Sequence, residues 1–195
     1  MAKQYGFFID ATKCTGCKTC VVACKDAHNL EVGRNFRTVH EVVTGGWKKD
    51  ATGAWIQNVN AYYLPISCNH CADPACVKVC PTKAHYKRTE DGLVVIDQEK
   101  CIGCGMCVVA CPYNAPVLDS KARKMTKCDG CLDRLEKGLK PICVEACPQR
   151  AIEFGDIEEL RQRHGTNAVA GTFPEATITA PSLVIARPKM LEISP

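Results

Sequence analysis

The sequence has no long apolar run. No window of its 195 residues approaches the roughly 18–20 apolar residues that a membrane span needs. It shows no sign of a signal peptide either: Met1-Ala2-Lys3-Gln4-Tyr5-Gly6 passes directly into Phe7-Phe8-Ile9, and Asp10 ends that patch. The chain is therefore expected to be soluble by itself. A disulfide framework would need a secreted chain with a leader, so it is a poor account of the cysteines. There is no long basic run. The formal charge is +4, from 25 Lys and Arg against 21 Asp and Glu. The basic residues are scattered, with no aromatic-interleaved stripe of the kind that grips nucleic acid. Assembled cysteine-bound clusters would in any case add negative charge that the count omits. Residues 31–66 contain no cysteine at all.

Cysteine is what the rest of the chain has in excess. There are sixteen, a density at which cysteine rather than apolar packing builds a small fold. The organising stretch is Cys101-Ile-Gly-Cys104-Gly-Met-Cys107-Val-Val-Ala-Cys111-Pro112. Its C-x2-C-x2-C-x3-C-P spacing is the ligand run of a bacterial-type [4Fe–4S] ferredoxin. Gly103 and Gly105 let the backbone approach a cluster. In two-cluster ferredoxins the last Cys of such a run ligates the other cluster, so one run implies a second. The first run, Cys14, Cys17, Cys20 and Cys24, repeats the spacing but has Lys25 where proline is expected. The second is Cys68, Cys71, Cys76 and Cys80, followed by Pro81, with two extra residues between its second and third cysteines. The fourth is Cys128, Cys131, Cys143 and Cys147, followed by Pro148. Four runs of four use every cysteine.

Taken in order, Tyr5–Asp10 reads as a short strand leading into the first run, which opens a helix. Within 31–66, residues 36–43 and 55–64 read as two strands of an inserted β-hairpin, with Trp47, Trp55, Tyr62 and Tyr63 as packing or interface residues. Residues 84–88 and 93–97 read as strands about an Asp91-Gly92 turn. The spacer 132–142 is charged and helical until Gly138 and Pro141 interrupt it. Residues 151–154 form a closing strand, and a surface helix follows from Asp156 to Gly165. The tail from Thr166 carries four prolines. Val184 and Ile185 can form one strand there, but the segment is expected to lie across a partner, so that deleting 172–195 would weaken association and leave the clusters assembled.

These elements predict an α+β chain of two ferredoxin-like dicluster halves related by a pseudo-two-fold axis. Residues 1–30 with 120–155 make the first/fourth-run half, and 67–119 the second/third-run half. Residues 31–66 are an inserted β region, and 156–195 a helix and an extended docking tail. The second and third runs pair through their connecting hairpin, and the first and fourth pair by exclusion. With each final Cys crossing, the ligand sets are Cys14, Cys17, Cys20 and Cys147; Cys68, Cys71, Cys76 and Cys111; Cys101, Cys104, Cys107 and Cys80; and Cys128, Cys131, Cys143 and Cys24. Four all-cysteine zinc sites are the non-redox alternative, but the strict triplets and trailing Cys-Pro pairs favour iron–sulfur. The five His read as groups at the surface or around the ligands, with His70, inside the second loop, a candidate donor to a cluster sulfur. Lys18, Lys78, Lys127 and Arg150 are cations near ligands, expected to be solvated. No catalytic acid, base or nucleophile is expected, because control lies in cluster potential.

Outside the ligands, Gln4-Tyr-Gly-Phe-Phe-Ile-Asp10, Cys14-Thr-Gly-Cys-Lys-Thr-Cys20, Ser67-Cys-Asn-His-Cys71, Asp73-Pro-Ala-Cys76, Met125-Thr-Lys-Cys-Asp-Gly-Cys131 and Lys140-Pro-Ile-Cys-Val-Glu145 carry a resemblance over nearly the whole chain. It resembles the four-cluster electron-transfer subunits of membrane-bound molybdoenzymes, and within them is most similar to the iron–sulfur (B) subunit of DMSO reductase. The resemblance implies two partners, a molybdopterin-containing catalytic subunit and an integral membrane quinol-oxidising subunit. It implies a non-catalytic relay among four [4Fe–4S] clusters in anaerobic respiration, with the first-run cluster nearest the catalytic subunit, then the fourth, second and third. The nitrate reductase branch of the family has Trp at the position of Cys104 and a [3Fe–4S] centre. Cys104 here implies [4Fe–4S]. The resemblance also implies a complex-bound, peripheral location on the periplasmic face, reached by co-export with a twin-arginine partner; the cytoplasmic face stays open. The alternative is a like subunit serving a formate dehydrogenase, a hydrogenase or another molybdoenzyme.

Overall fold

The computed structural model describes residues 3–171 and 173–188. Strand β1 (Tyr5–Asp10) is buried on both faces. Alternation sends Phe7 and Ile9 into one core with Leu64, Ile66 and Ile152, and Phe8 into a second with Ile157, Leu160 and Val184. Helix α1 (Thr19–Ala27) opens inside the first run and buries Cys20 and Cys24, one turn apart. Beyond it, β2 (Thr38–Thr44), β3 (Trp47–Lys49), β4 (Trp55–Gln57) and β5 (Asn60–Ile66) form two nested antiparallel ladders. β2 meets β5 from Thr38 opposite Ile66 to Thr44 opposite Asn60, and β3 meets β4 farther out. The two strands expected here are thus four, interrupted where Gly46 and Asn58 exchange backbone hydrogen bonds of 3.2 and 2.7 Å. Tyr62 is core, whereas Trp47 and Trp55 stand exposed on the outer ladder.

Helix α2 (Ala75–Lys78) precedes the antiparallel pair β6 (His85–Lys87) and β7 (Val94–Ile96). Helix α3 (Met106–Ala110) is followed by β8 (Val117–Asp119) and β9 (Lys124–Thr126), also antiparallel. Then come α4 (Leu132–Leu135), α5 (Ile142–Glu145), β10 (Ile152–Asp156), α6 (Ile157–His164) and β11 (Leu183–Ala186). α1 packs on α5, and α2 on α3. β10 closes antiparallel on β1. α6 starts on the Asp156 carboxylate, which accepts from the Glu158 N–H at 2.9 Å, and ends at Gly165. The helices within runs that end in Cys-Pro are four or five residues long, whereas α1, with Lys25 in place of proline, runs nine. Among the described residues no helix is long and apolar enough to cross a membrane.

The tail departs from expectation. Leu183–Ala186 does form the strand foreseen at Val184 and Ile185, but it lies in this chain's own sheet, parallel to β1, in the order β10-β1-β11. Leu183, Val184 and Ile185 are almost wholly buried. Just before them, the Ala72 and Asp73 N–H groups donate to the carbonyls of Ala180 and Thr179 (2.7 and 3.1 Å), and the Ser182 N–H donates to that of Asn69 (3.0 Å). β1 is apolar on both faces and has two edges to fill. β10 fills one, and the tail supplies the other. The expected docking arm is therefore core over these residues. Thr172 and residues 189–195 of the segment lie outside the described residues.

Candidate metal centres

The four runs share one local geometry. The residue before the second cysteine has a left-handed backbone at Gly16, Gly103 and Gly130, with φ of +71°, +69° and +82°. That conformation turns the loop sharply between the first and second cysteines. A Cβ on Gly103 would lie 2.2 Å from the Arg123 carbonyl oxygen, so no side chain fits. In the second run the same slot holds His70, at φ +43°. For a residue with a Cβ this costs on the order of 1–3 kcal/mol.

All sixteen thiols are free, and they gather in clusters. Cys14, Cys17, Cys20 and Cys147 line one cavity with Val39, Pro65 and Ile152. Cys68, Cys71, Cys76 and Cys111 line another with Val94 and Pro116. Cys107 has Cys101, Cys104 and Cys80 as its neighbouring thiols. Cys24 has Cys143 and Cys131 as neighbouring thiols, and Cys128 has Cys24 and Cys143 around it together with Cys68 of the second run. In both cavities three thiols come from one run and the fourth from its partner run. Burial pushes the Cys24 and Cys76 thiols up to about 12, and Cys20, Cys71, Cys107 and Cys131 to about 11. Cys17 instead lies below the usual thiol range because the Thr19 hydroxyl, 3.4 Å away, favours its thiolate.

The donor set fits iron–sulfur clusters. Each of the two cavities offers four thiols among mostly apolar side chains, with Asn69 and Lys127 in the wall of the second, and backbone N–H groups already aim at sulfur. Met125 donates to Cys101 Sγ and Gly130 to Cys128 Sγ, both at 3.4 Å, and Ala151 donates to Cys147 Sγ at 3.3 Å. The buried Asn69 amide nitrogen, beside the second-run thiols, has no partner among protein atoms. A sulfide acceptor there would satisfy it.

The other candidates of the sequence divide. Lys18, Lys78 and Arg150 are exposed; Lys78 pairs with Asp73 at 2.6 Å, and Arg150 donates to the Cys147 carbonyl at 3.0 Å. Lys127 is a correction, because it is buried and lines the second-run cavity. Its ammonium donates to the carbonyls of Val94 and of Cys128 (the latter at 2.8 Å), which takes it out of solvent. His70 is fully buried. Its Nδ1 accepts from the Val94 N–H at 3.0 Å, so the ring proton sits on Nε2, 3.9 Å from Cys128 Sγ. Burial, helped by Lys127 and Lys87, holds its pKa well below the usual histidine value, so the ring is neutral. The histidine of the second loop thus faces a fourth-run thiol.

Two features carried no local signal in the sequence. His28 Nε2 lies 3.5 Å from Cys131 Sγ, with Asp129 beside both. Arg37, outside every run, is 1% exposed. Only folding brings either residue to the cysteines.

Comparisons with known proteins agree with this geometry. A 4Fe-4S dicluster domain family matches residues 59–157, and a 4Fe-4S binding domain family matches residues 5–26. The chain is 57% identical to YnfG of Escherichia coli, a probable anaerobic dimethyl sulfoxide reductase component, over 185 residues, covering 95% of this chain and 89% of that one. It is 56% identical to the B subunit of anaerobic dimethyl sulfoxide reductase from the same organism, with the same coverage. It is 39% identical to the B subunit of tetrathionate reductase from Salmonella typhimurium, over 84% of this chain and 62% of that one. Domain matches, sixteen thiols and identity of this order over nearly the whole length establish that the chain belongs to the family of [4Fe–4S] iron–sulfur subunits that includes the B subunit of anaerobic dimethyl sulfoxide reductase.

Proposed function

We propose that this chain is the electron relay between a membrane subunit that oxidises quinol and a molybdopterin-containing catalytic subunit that reduces an S- or N-oxide. The sets Cys14/17/20/147, Cys68/71/76/111, Cys101/104/107/80 and Cys128/131/143/24 each hold one [4Fe–4S] cluster, and each set draws its last member across from the paired run. The clusters supply one-electron acceptance and release. The chain fixes their positions, excludes water and aims N–H donors at sulfur. The two dicluster halves are read as pseudo-symmetric ferredoxin-like units: 1–30 with 120–155, and 67–119, with 31–66 inserted between them. β1 closing on β10 and α1 packing on α5 support the first half; the β6–β7 pair and α2 packing on α3 support the second.

The observation that carries the reading is the exposure of the thiols. Eleven are buried and three half-buried, and only Cys17 and Cys104 are exposed, one in the first-run set and one in the third. Apolar side chains stand out beside them, Val22 near the first and Ile102, Met106 and Val109 near the second. Two of the four sets thus meet the surface amid apolar groups suited to subunit contact, whereas the fourth set is wholly buried and the second has only Cys111 half-buried. That supports first- and third-run clusters at the two ends, with the first toward the catalytic subunit and the third toward the quinol, and the fourth and second between. The complex-bound chain is peripheral to the membrane, on the periplasmic face if its partner is exported folded. The higher identity to the dimethyl sulfoxide reductase relatives than to the tetrathionate reductase subunit supports the oxide substrate class.

The test uses the purified complex. Anaerobic protein should contain about sixteen iron and sixteen sulfide per copy of this chain. Cys104→Ser should abolish quinol-driven turnover while dye-driven turnover of the catalytic subunit persists. Zinc in place of iron, or normal quinol-driven turnover in the variant, would sink the relay.

A further inference from the structure

Arg37 is the residue that cluster ligation alone leaves unexplained. It lies just before β2, and its guanidinium donates to the Pro65 carbonyl, 28 residues along the chain. It also donates to Ser67 Oγ at 2.9 Å and stacks on the Phe7 ring at 4.9 Å. Its Nε is buried with no partner. Among the described residues, no salt bridge involves it. A guanidinium cannot shed its proton in a protein, and an unpaired buried cation costs several kcal/mol unless an anion faces it. The Phe7 ring it stacks on packs in one core with Cys20 and Cys143, and Cys128 and Cys24 complete the thiols around the guanidinium, all of them thiolates once ligated. Cys20 belongs to the first-run set, and the other three to the fourth-run set.

We infer that Arg37 is a potential-setting residue, a fixed positive charge between the first-run and fourth-run clusters that makes both easier to reduce. A cation near a cluster favours the state that carries one more electron, and a low-dielectric interior lengthens its reach. One charge serving two sites raises both together and leaves the step between them small. Arg37 also approaches the second-run set, through its hydrogen bond to Ser67, the residue before Cys68. The second set has Lys127, which faces Cys76 and Cys111.

This inference rests on the four-cluster reading, which iron and sulfide content tests separately. The experiment is a redox titration followed by EPR on the intact complex, with signals assigned from Cys17→Ser and Cys131→Ser. Arg37→Gln removes the charge and keeps a hydrogen-bonding head; Arg37→Lys keeps the charge. In Arg37→Gln the reduced-to-oxidised ratio of the first- and fourth-run clusters at a fixed potential should fall about tenfold, a shift of about 59 mV for one electron. The third-run cluster should move less than about twofold, with the second between, and Arg37→Lys should restore most of the loss. Equal shifts at all four clusters, no shift at either of the two, or a fully loaded Arg37→Lys protein behaving like Arg37→Gln would each overturn it. If Arg37→Gln loads no clusters, Arg37→Lys decides: loading with near-native potentials supports the charge, and failure to load shows that Arg37 only holds the fold.

Discussion

His70 occupies the slot that glycine fills in the other three runs. The strain of a left-handed histidine is retained because its side chain reaches a place no backbone group does, beside Cys128 Sγ. Asn tolerates the same backbone and is too short to reach that sulfur. His70→Asn should therefore keep the loop, remove one N–H donor, and make the fourth-run cluster harder to reduce, by about fivefold in the reduced-to-oxidised ratio. EPR-monitored titration measures this. A loaded variant with unchanged potential would show that His70 fills space and tunes nothing. The sequence marked His70 as a possible sulfur donor by its place in the loop. It could not say which sulfur, because Cys128 lies far along the chain and meets the ring only through the β7 backbone at Val94.

Among elements, β11 departs most from what its own residues suggest. A proline-rich tail with one short apolar stretch reads as an arm for a partner, since it cannot build a core by itself. It does not need to, because β1 is apolar on both faces and presents an open edge. Leu183–Ala186 fills that edge in parallel register, Phe7 opposite Leu183 and Ile9 opposite Ile185. Leu183→Ala should accordingly cost about 2–5 kcal/mol of stability, the usual range for a buried leucine. Denaturant titration followed by cluster absorbance checks this. Unchanged stability with weakened partner binding would return the tail to the role of a docking arm. The elements that sequence rendered best are those bounded by local chemistry. The Asp91-Gly92 turn, the Asp156 cap and the Gly165 stop lie where their residue types put them. The β2–β5 region was rendered worst, since its division into two ladders depends on pairing across the hairpin and not on any run of residues.

At the scale of the molecule, cysteine takes the place of much of the apolar core. Eleven of the sixteen thiols are buried, and cysteines lie in three of the four apolar clusters. Binding of the clusters and folding are therefore one equilibrium. Burial raises most of these thiols, Cys24 and Cys76 to about 12, yet each must be a thiolate when ligated. The loaded form thus binds fewer protons than the stripped one, and acid favours stripping. At a fixed chelator concentration, loss of visible absorbance should quicken as pH falls from about 8 to about 6, with loss of helical circular dichroism in parallel. A rate flat with pH, or a stripped chain that keeps its native spectrum, would contradict that coupling. The cysteine spacing alone determined that this chain is built to hold iron–sulfur clusters, because ligand geometry is written in local intervals such as C-x2-C-x2-C. Tertiary structure alone decided what surrounds them: Arg37 buried against Phe7, Lys127 in the wall of a thiol-lined cavity, His70 against Cys128, and the tail against β1. Those contacts join segments with no common sequence period, and the burial that makes a lone charge or a strained histidine matter exists only once the chain has closed around them.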